Sequence, residues 1–314
     1  MKRTKKYELL KDDVFVVESS EQKIKLFRIK ALKDFGNVKK GDLGGYIQSE
    51  KNLSHKGNAW VYDDAKVYEN AKVLDKASVS QNAKVFGNAI IEVEAIVYDN
   101  AKVYGNTKVS GSAQVEGDAE VYDNAKISGT AWIAGNAKIY DNAEIIDDCS
   151  VWGDAKVFGN ASVYDCAHVE GNVKIYDNAT IYGYAEAKGN VELYGDAEVF
   201  DRASVCDDVK VYGRGVVYSG ATASKDAKIS NALDCVCFRN SWSKEALLDS
   251  WFFTVGNIMG EYLTYTHSNQ KWDIGTFYGT GDELIKKAYE VDQRTGDSIK
   301  AHVEFVKTLH GIEG

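Results

Sequence analysis

The chain has 314 residues, no proline, 28 glycines, 19 tyrosines and a formal net charge of −9 at pH 7. At an ordinary frequency near 5%, roughly 16 prolines would be expected. Their absence, with 44% hydrophobic and 27% charged residues, excludes a collagen-like or proline-rich disordered chain. No stretch approaches the ~18 consecutive apolar residues of a membrane span, and the basic start Met1-Lys2-Arg3 runs into no apolar leader core. A cytoplasmic protein without membrane contact is expected.

Residues 1–50 hold 12 basic and 8 acidic side chains. Strand-type alternation at Phe15 and Val17, and again at Ile24 and Leu26, predicts a small N-terminal β cap. Lys39 to Gly45 reads as the turn leading out of it.

Residues 51–231 are governed by a repeat. From Ala59 to Ala227 a small residue returns every six positions, 29 times and without insertion, and 23 of these are alanine. Two residues after each stands an aliphatic one, from Val61 to Ile229, with Ala187 and Ala223 as the exceptions. A six-residue period fits neither a helix nor a hairpin but does fit a short strand plus a corner. The aliphatic residue points inward from the strand, and the small one points inward where backbones converge. Asn or Asp precedes the small residue in 20 of the 29 units. These types tolerate a left-handed backbone, so the expected left-handed corner is placed at Asn58, Asp64, Asn70, Asn82 and Asn88. Glycine one position earlier (Gly87, Gly105, Gly111, Gly117) adds freedom.

A second period sets the coil. The residue after the aliphatic is aromatic at every eighteenth position: Tyr68, Phe86, Tyr104, Tyr122, Tyr140, Phe158, Tyr176, Tyr194 and Tyr212. Three units therefore make one turn of a triangular parallel β-helix of about ten coils, at ~4.8 Å per stacked strand. Proline is missing because interior strands pair on both sides and each needs its N–H.

Residues 232–314 read as a C-terminal α+β module with 8 basic and 12 acidic side chains. Ser243–Leu248 reads as a short helix; Trp251–Val255, Tyr262–Tyr265 and Trp272–Phe277 read as strands. Thr280-Gly281-Asp282-Glu283 is a capping box opening a helix that buries Leu284, Ile285 and Ala288. A last helix from about Asp297 aligns Ile299, Val303, Val306 and Leu309. With both ends of the prism covered, open strand edges and filament growth are not expected.

The pattern aliphatic-x-x-(Asn/Asp)-small-x, in phase for three-unit coils, resembles the hexapeptide-repeat left-handed β-helix superfamily. The resemblance implies left-handedness; a right-handed triangular helix of the bactofilin kind is the alternative. Phe35-Gly36-Asn37-Val38 through Gly44-Gly45-Tyr46, then Gly57-Asn58-Ala59-Trp60-Val61-Tyr62, resembles the YdcK-like branch of bacterial and prophage proteins carrying a transferase label. Trp272-Asp273-Ile274-Gly275-Thr276-Phe277-Tyr278-Gly279-Thr280 resembles a prophage-type C-terminal module.

Many members of that superfamily are acyltransferases, which implies a histidine base, a loop excursion and acyl-CoA held between prisms of a trimer. No excursion interrupts these coils. His168 alone lies well inside the repeat, at an outward position elsewhere held by Lys66, Lys84, Lys102 and Lys126, and is a weak candidate base. Cys149, Cys166, Cys206, Cys235 and Cys237 lack paired zinc spacing and read as reduced structural thiols. No phosphate loop and no metal motif occurs, and no cofactor is called for.

The aromatic column is the leading candidate site, either as a self-stabilising ladder or as a docking surface. Base stacking on it is not expected, because the overall charge repels phosphates. The expected function is a non-catalytic binding or scaffold protein, a prophage-encoded modulator of a host protein or a self-associating oligomer. The alternatives are a trimeric acyltransferase using acyl-CoA, with His168 as base, and an acidic mimic of nucleic acid.

Overall fold

The structure, a computed structural model, describes residues 5–18, 23–218, 220–224, 227–230, 236–237, 252–258, 261–266, 271–274 and 277–310. It divides into two compact units, residues 1–184 and 185–314.

The first unit opens with β1 (Tyr7–Glu18), β2 (Lys23–Ala31) and β3 (Leu43–Ile47). β1 and β2 form the antiparallel pair that the alternation predicts. β3 departs from expectation. Leu43–Ile47 is a strand, not the end of a turn, and it pairs in parallel with Lys66–Val67. Its glycines allow this: a Cβ on Gly44 would lie 2.5 Å from the Val61 carbonyl oxygen, so only glycine admits the close approach.

From Trp60 to Ile181 the chain makes seven turns, each laying one short strand in each of three parallel sheets. The first sheet holds Lys66–Val67, Lys84–Val85, Lys102–Val103, Glu120–Val121, Lys138–Ile139, Lys156–Val157 and Lys174–Ile175. The second runs from Trp60–Val61 to His168–Gly171. The third runs from Lys72–Val73 to Thr180–Ile181. Each strand pairs with the residue eighteen positions on, so the register is the repeat itself.

The core is what the six-residue period demands. Val61, Val67, Val73 and their successors are fully buried, as are Ala59, Ala65 and Ala71 beside them. Three aliphatic side chains per turn each contribute on the order of 1.5–3 kcal/mol by burial. Cys149 replaces an alanine with its thiol buried, which pushes its pKa up to about 12.

The corners correct the sequence expectation by one residue. Left-handed φ values fall two positions before the small residue, at Asp63, Glu69, Asp75, Asp99, Asp123 and Asp141, and at glycines such as Gly105 (φ 75°). The Asn that follows is not the strained residue; its side chain has another use, described below. The corner carboxylates also explain why Asp so often stands where glycine would be unstrained. Asp99, Asp141 and Asp165 each accept the backbone N–H of the corner residue eighteen positions on: Gly117 at 3.2 Å, Gly159 at 3.1 Å and Gly183 at 3.1 Å.

The opening of the solenoid is closed by side chains. Asn52 Nδ2 donates to the carbonyls of Glu69 and Ala71 at 3.0 and 2.9 Å, beside the single parallel bridge between Leu53 and Val73. The buried Lys6 ammonium donates to Ala59 O at 2.7 Å, and burial lowers its pKa to about 8, with a contribution from Lys33.

The second unit carries three further turns of the same pattern, bringing the solenoid count to about ten. Its last strand, Val236–Cys237, pairs Val217 with Val236, one residue beyond the eighteen-residue step. A four-stranded antiparallel sheet follows: Phe252–Ile258, Glu261–Thr266, Lys271–Ile274 and Phe277–Gly279. The segment read as one strand over Trp272–Phe277 is thus two paired strands. α1 (Gly281–Val291) starts at the expected capping box, with Glu283 N donating to Thr280 Oγ1 at 3.2 Å and Thr280 N donating to Glu283 Oε2 at 2.7 Å. α2 (Gln293–His310) begins four residues earlier than expected. Leu263, Tyr265, Trp272, Leu284, Ala288, Ile299, Val303 and Val306 form the module's core, and Ile285 packs beside it. The helix expected over Ser243–Leu248 and the side chain of Leu309 lie outside the described residues. Among the described residues, no helix is long and apolar enough to cross a membrane.

Candidate functional site

On the outer face of the first sheet, the strand-and-corner repeat places four residues in transverse order. In one coil they are Lys102, Tyr104, Gly105 and Asn106; in the next they are Glu120, Tyr122, Asp123 and Asn124. Stacking the coils turns each position into a row along the solenoid.

The aromatic row is a ladder. In the first unit, Tyr68, Phe86, Tyr104, Tyr122, Tyr140, Phe158 and Tyr176 stack consecutively, with centroids 4.8–5.1 Å apart and ring planes within 6° of parallel. In the second unit Tyr194 and Tyr212 stack at 5.2 Å and 11°. The strand spacing dictates this interval. Each ring covers the faces of its neighbours, so the ladder presents edges and hydroxyls outward. The β1–β2 hairpin roofs its start: Ile24, Leu26 and Tyr68 form one buried cluster, with Val17, Tyr46 and Phe86 against it. From Tyr104 onward the rings are half-buried. Burial raises the phenol pKa of Tyr68 and of Tyr122 to about 12, and raises those of Tyr104 and Tyr140.

Beside the rings runs a second ladder, of amides. Asn70, Asn88, Asn106, Asn124, Asn142 and Asn160 each donate from Nδ2 to Oδ1 of the Asn eighteen residues on, ending at Asn178, over 2.9–3.3 Å. This is the role of the asparagines that precede the small residue. Asn106, Asn124, Asn142 and Asn160, with Gly105, Asp123, Asp141 and Gly159, line an open groove of about 630 Å³.

On the other side of the rings lies a cationic row: Lys66, Lys84, Lys102, Lys138, Lys156 and Lys174, interrupted by Glu120. Glu120 accepts from Lys102 at 2.7 Å and stands 3.6 Å from Lys138, which hold its carboxyl below the usual range. Lys66 is covered by the cap, with its ammonium 4.4 Å from the centre of the Phe15 ring. The net charge of −9 therefore hides a locally basic lane.

The other faces are not built this way. On the second sheet the outward rows read Gln114, Trp132, Ser150, His168 and Glu116, Ala134, Trp152, Glu170. His168 is not isolated, as its sequence position suggested. Its Nδ1 contacts Ser150 Oγ, its Nε2 accepts from Trp152 Nε1 at 3.3 Å, and Glu170 lies 3.6 Å away. In the neutral ring the Trp152 contact leaves the proton on Nδ1, which then donates to Ser150. Ser150 gains no base from this arrangement. Trp132 is 40% exposed and donates to Glu116 at 2.9 Å. The third sheet holds a shorter aromatic run that the sequence reading passed over. Tyr164 stacks on Tyr182 at 4.7 Å, and Phe200 on Tyr218 at 5.4 Å in the second unit. The eighteen-residue spacing of these four was the available signal.

Comparison with protein-family models gives no match, and comparison with curated proteins gives none either.

Proposed function

We propose that the chain is a non-catalytic binding scaffold whose docking surface is the first-sheet face from Tyr104 to Tyr176. The observation that carries this reading is the closed stack. Its ring faces are used internally, which disfavours insertion of nucleobases or sugar rings. What it offers is a straight strip of ring edges and phenol hydroxyls, flanked by lysines, suited to side chains of another protein. The cross-coil pairs Lys76–Glu94, Lys108–Glu92 and Lys126–Glu144 intersperse the acids with bases, which favours this reading over a nucleic-acid mimic. The hexapeptide-repeat resemblance and the YdcK-like segment Phe35–Tyr46 support a bacterial or prophage setting in which the partner is a host protein.

The test is site-specific photocrosslinking in the native host. Benzoylphenylalanine at position 122 is expected to give one defined crosslinked species, to a partner or to a second copy, that the same probe at position 132 does not give. Equal, diffuse crosslinking from both positions sinks the reading.

A further inference from the structure

The spacing of the two rows narrows the kind of partner, and the inference rests on the docking reading above. We infer that the occupant of this face is an amphipathic α-helix with one acidic flank, lying along the solenoid axis.

Pitch carries the first part. The lane repeats every 4.8–5.1 Å, as its ring centroids show. An α-helix advances about 5.4 Å per turn, so each turn meets one coil with an error of about 0.5 Å. Over about four turns the error stays within the reach of Lys and Glu side chains. An extended strand presents same-side residues about 6.7 Å apart and loses register within three of them. Width carries the second part. Lys and ring lie two residues apart on one strand, about 6.7 Å, and a helix of about 10–12 Å diameter spans both rows.

Charge orients it. The apolar stripe of the helix lies on the edges of Tyr104, Tyr122, Tyr140 and Phe158, and its carboxylates face Lys84, Lys102, Lys138 and Lys156. The far flank meets Asp123, Asp141 and the asparagine ladder, where acids are repelled and amide or basic side chains fit. Glu120 occupies the middle of the lysine row and engages two of its members. The turn that meets it is therefore neutral or basic, between acidic turns. This pattern distinguishes the ligand from a generic polyanion.

The experiment uses the full chain and synthetic fluorescent peptides of about 18 residues. One is amphipathic with a glutamate flank. The second carries lysine in place of those glutamates, and the third is the first with two central prolines. Anisotropy is expected to show the glutamate helix binding at least about tenfold more tightly than either control. Affinity should weaken between about 50 and about 300 mM salt. It should fall about tenfold or more in the double variant Lys84→Glu, Lys156→Glu, and hold in Lys126→Glu on the third sheet. Both variants alter surface lysines, and unchanged melting and circular dichroism confirm folding.

Equal binding of the proline-broken peptide overturns the helix in favour of an unstructured polyanion. Tighter binding of a single-stranded thymidine oligonucleotide overturns it in favour of nucleic acid. Absence of glutamate-helix binding up to about 1 mM also overturns it. If position 122 still crosslinks, the docking reading survives that failure; if it does not, both fall.

Discussion

The first and second sheets share one backbone repeat and one core, yet their outer faces differ. On the first, every coil from Tyr104 to Tyr176 carries an aromatic ring at the same position, and the lysine row is broken only by Glu120. On the second, Trp132, Ser150, Trp152, His168 and Glu170 form local contacts with no axial repetition. The interior requirements therefore do not dictate the exterior. The ordered face is set by its own rows, and rings stacked face to face from coil to coil add cohesion along the axis.

The largest blow to the contrast is expected from alkali. Burial raises the pKa of Tyr68 and Tyr122 to about 12 from an ordinary 10.0, and moves Tyr104 and Tyr140 upward. The stabilisation is complete below pH 10, where the phenols are neutral in both folded and unfolded chains. It is lost as pH rises through about 10 to 12, because the unfolded chain ionises first. Tyrosinate absorbance should rise together with loss of β circular dichroism; ionisation at an ordinary pKa with the fold intact would contradict this.

Next in size is the triple change of Tyr104, Tyr122 and Tyr140 to Ser. It removes four stacked contacts, at about 0.2–1 kcal/mol each, so a loss of about 1–4 kcal/mol is expected in denaturant melts. Trp132→Ser on the second sheet should cost less than about 1 kcal/mol. Equal losses per residue would erase the distinction between the faces.

Asp141→Ala puts an alanine at φ 56° and deprives Gly159 N–H of its acceptor, for an expected cost of about 1–2 kcal/mol. Asn124→Ala breaks the amide ladder at two bonds, to Asn106 and Asn142, on an exposed edge. About 0.5–1 kcal/mol is expected, and a larger loss would indicate cooperativity along the ladder. The smallest effect belongs to His168→Ala, at or below about 0.5 kcal/mol. Acetyl-CoA should leave the melting temperature of the parent protein unchanged. A thermal shift that disappears in His168→Ala would instead argue for acyl transfer.

Much of the fold is legible in the residues because inside and outside alternate so strictly. Ala59, Val61 and their successors announce the coil, and the tyrosines announce three units per turn. The corners were less legible. Asn and Asp both tolerate left-handed backbone, so propensity alone could not choose between Asp123 and Asn124; Asp123 takes the left-handed φ, and Asn124 is spent on Asn142 eighteen residues on. Gly44 and Gly45 read as a turn until a strand beside them explains the need for close approach. The ring row was evident, but its closed faces and the cationic lane alongside it exist only once the coils are stacked.

The step of eighteen also constrains how such a chain can change in length. Loss of residues 113–130 would splice Tyr104 to Tyr140 and leave each row intact, one ring shorter. Loss of residues 113–118 alone would still keep aliphatic residues inside, but Ser128 would follow Tyr104 in the row and every later tyrosine would turn onto a different sheet. The solenoid core tolerates quanta of six, whereas the aromatic, lysine and asparagine rows stay in line only for quanta of eighteen. The length of that face is therefore counted in whole coils, each adding one ring, one row-forming lysine position and one corner.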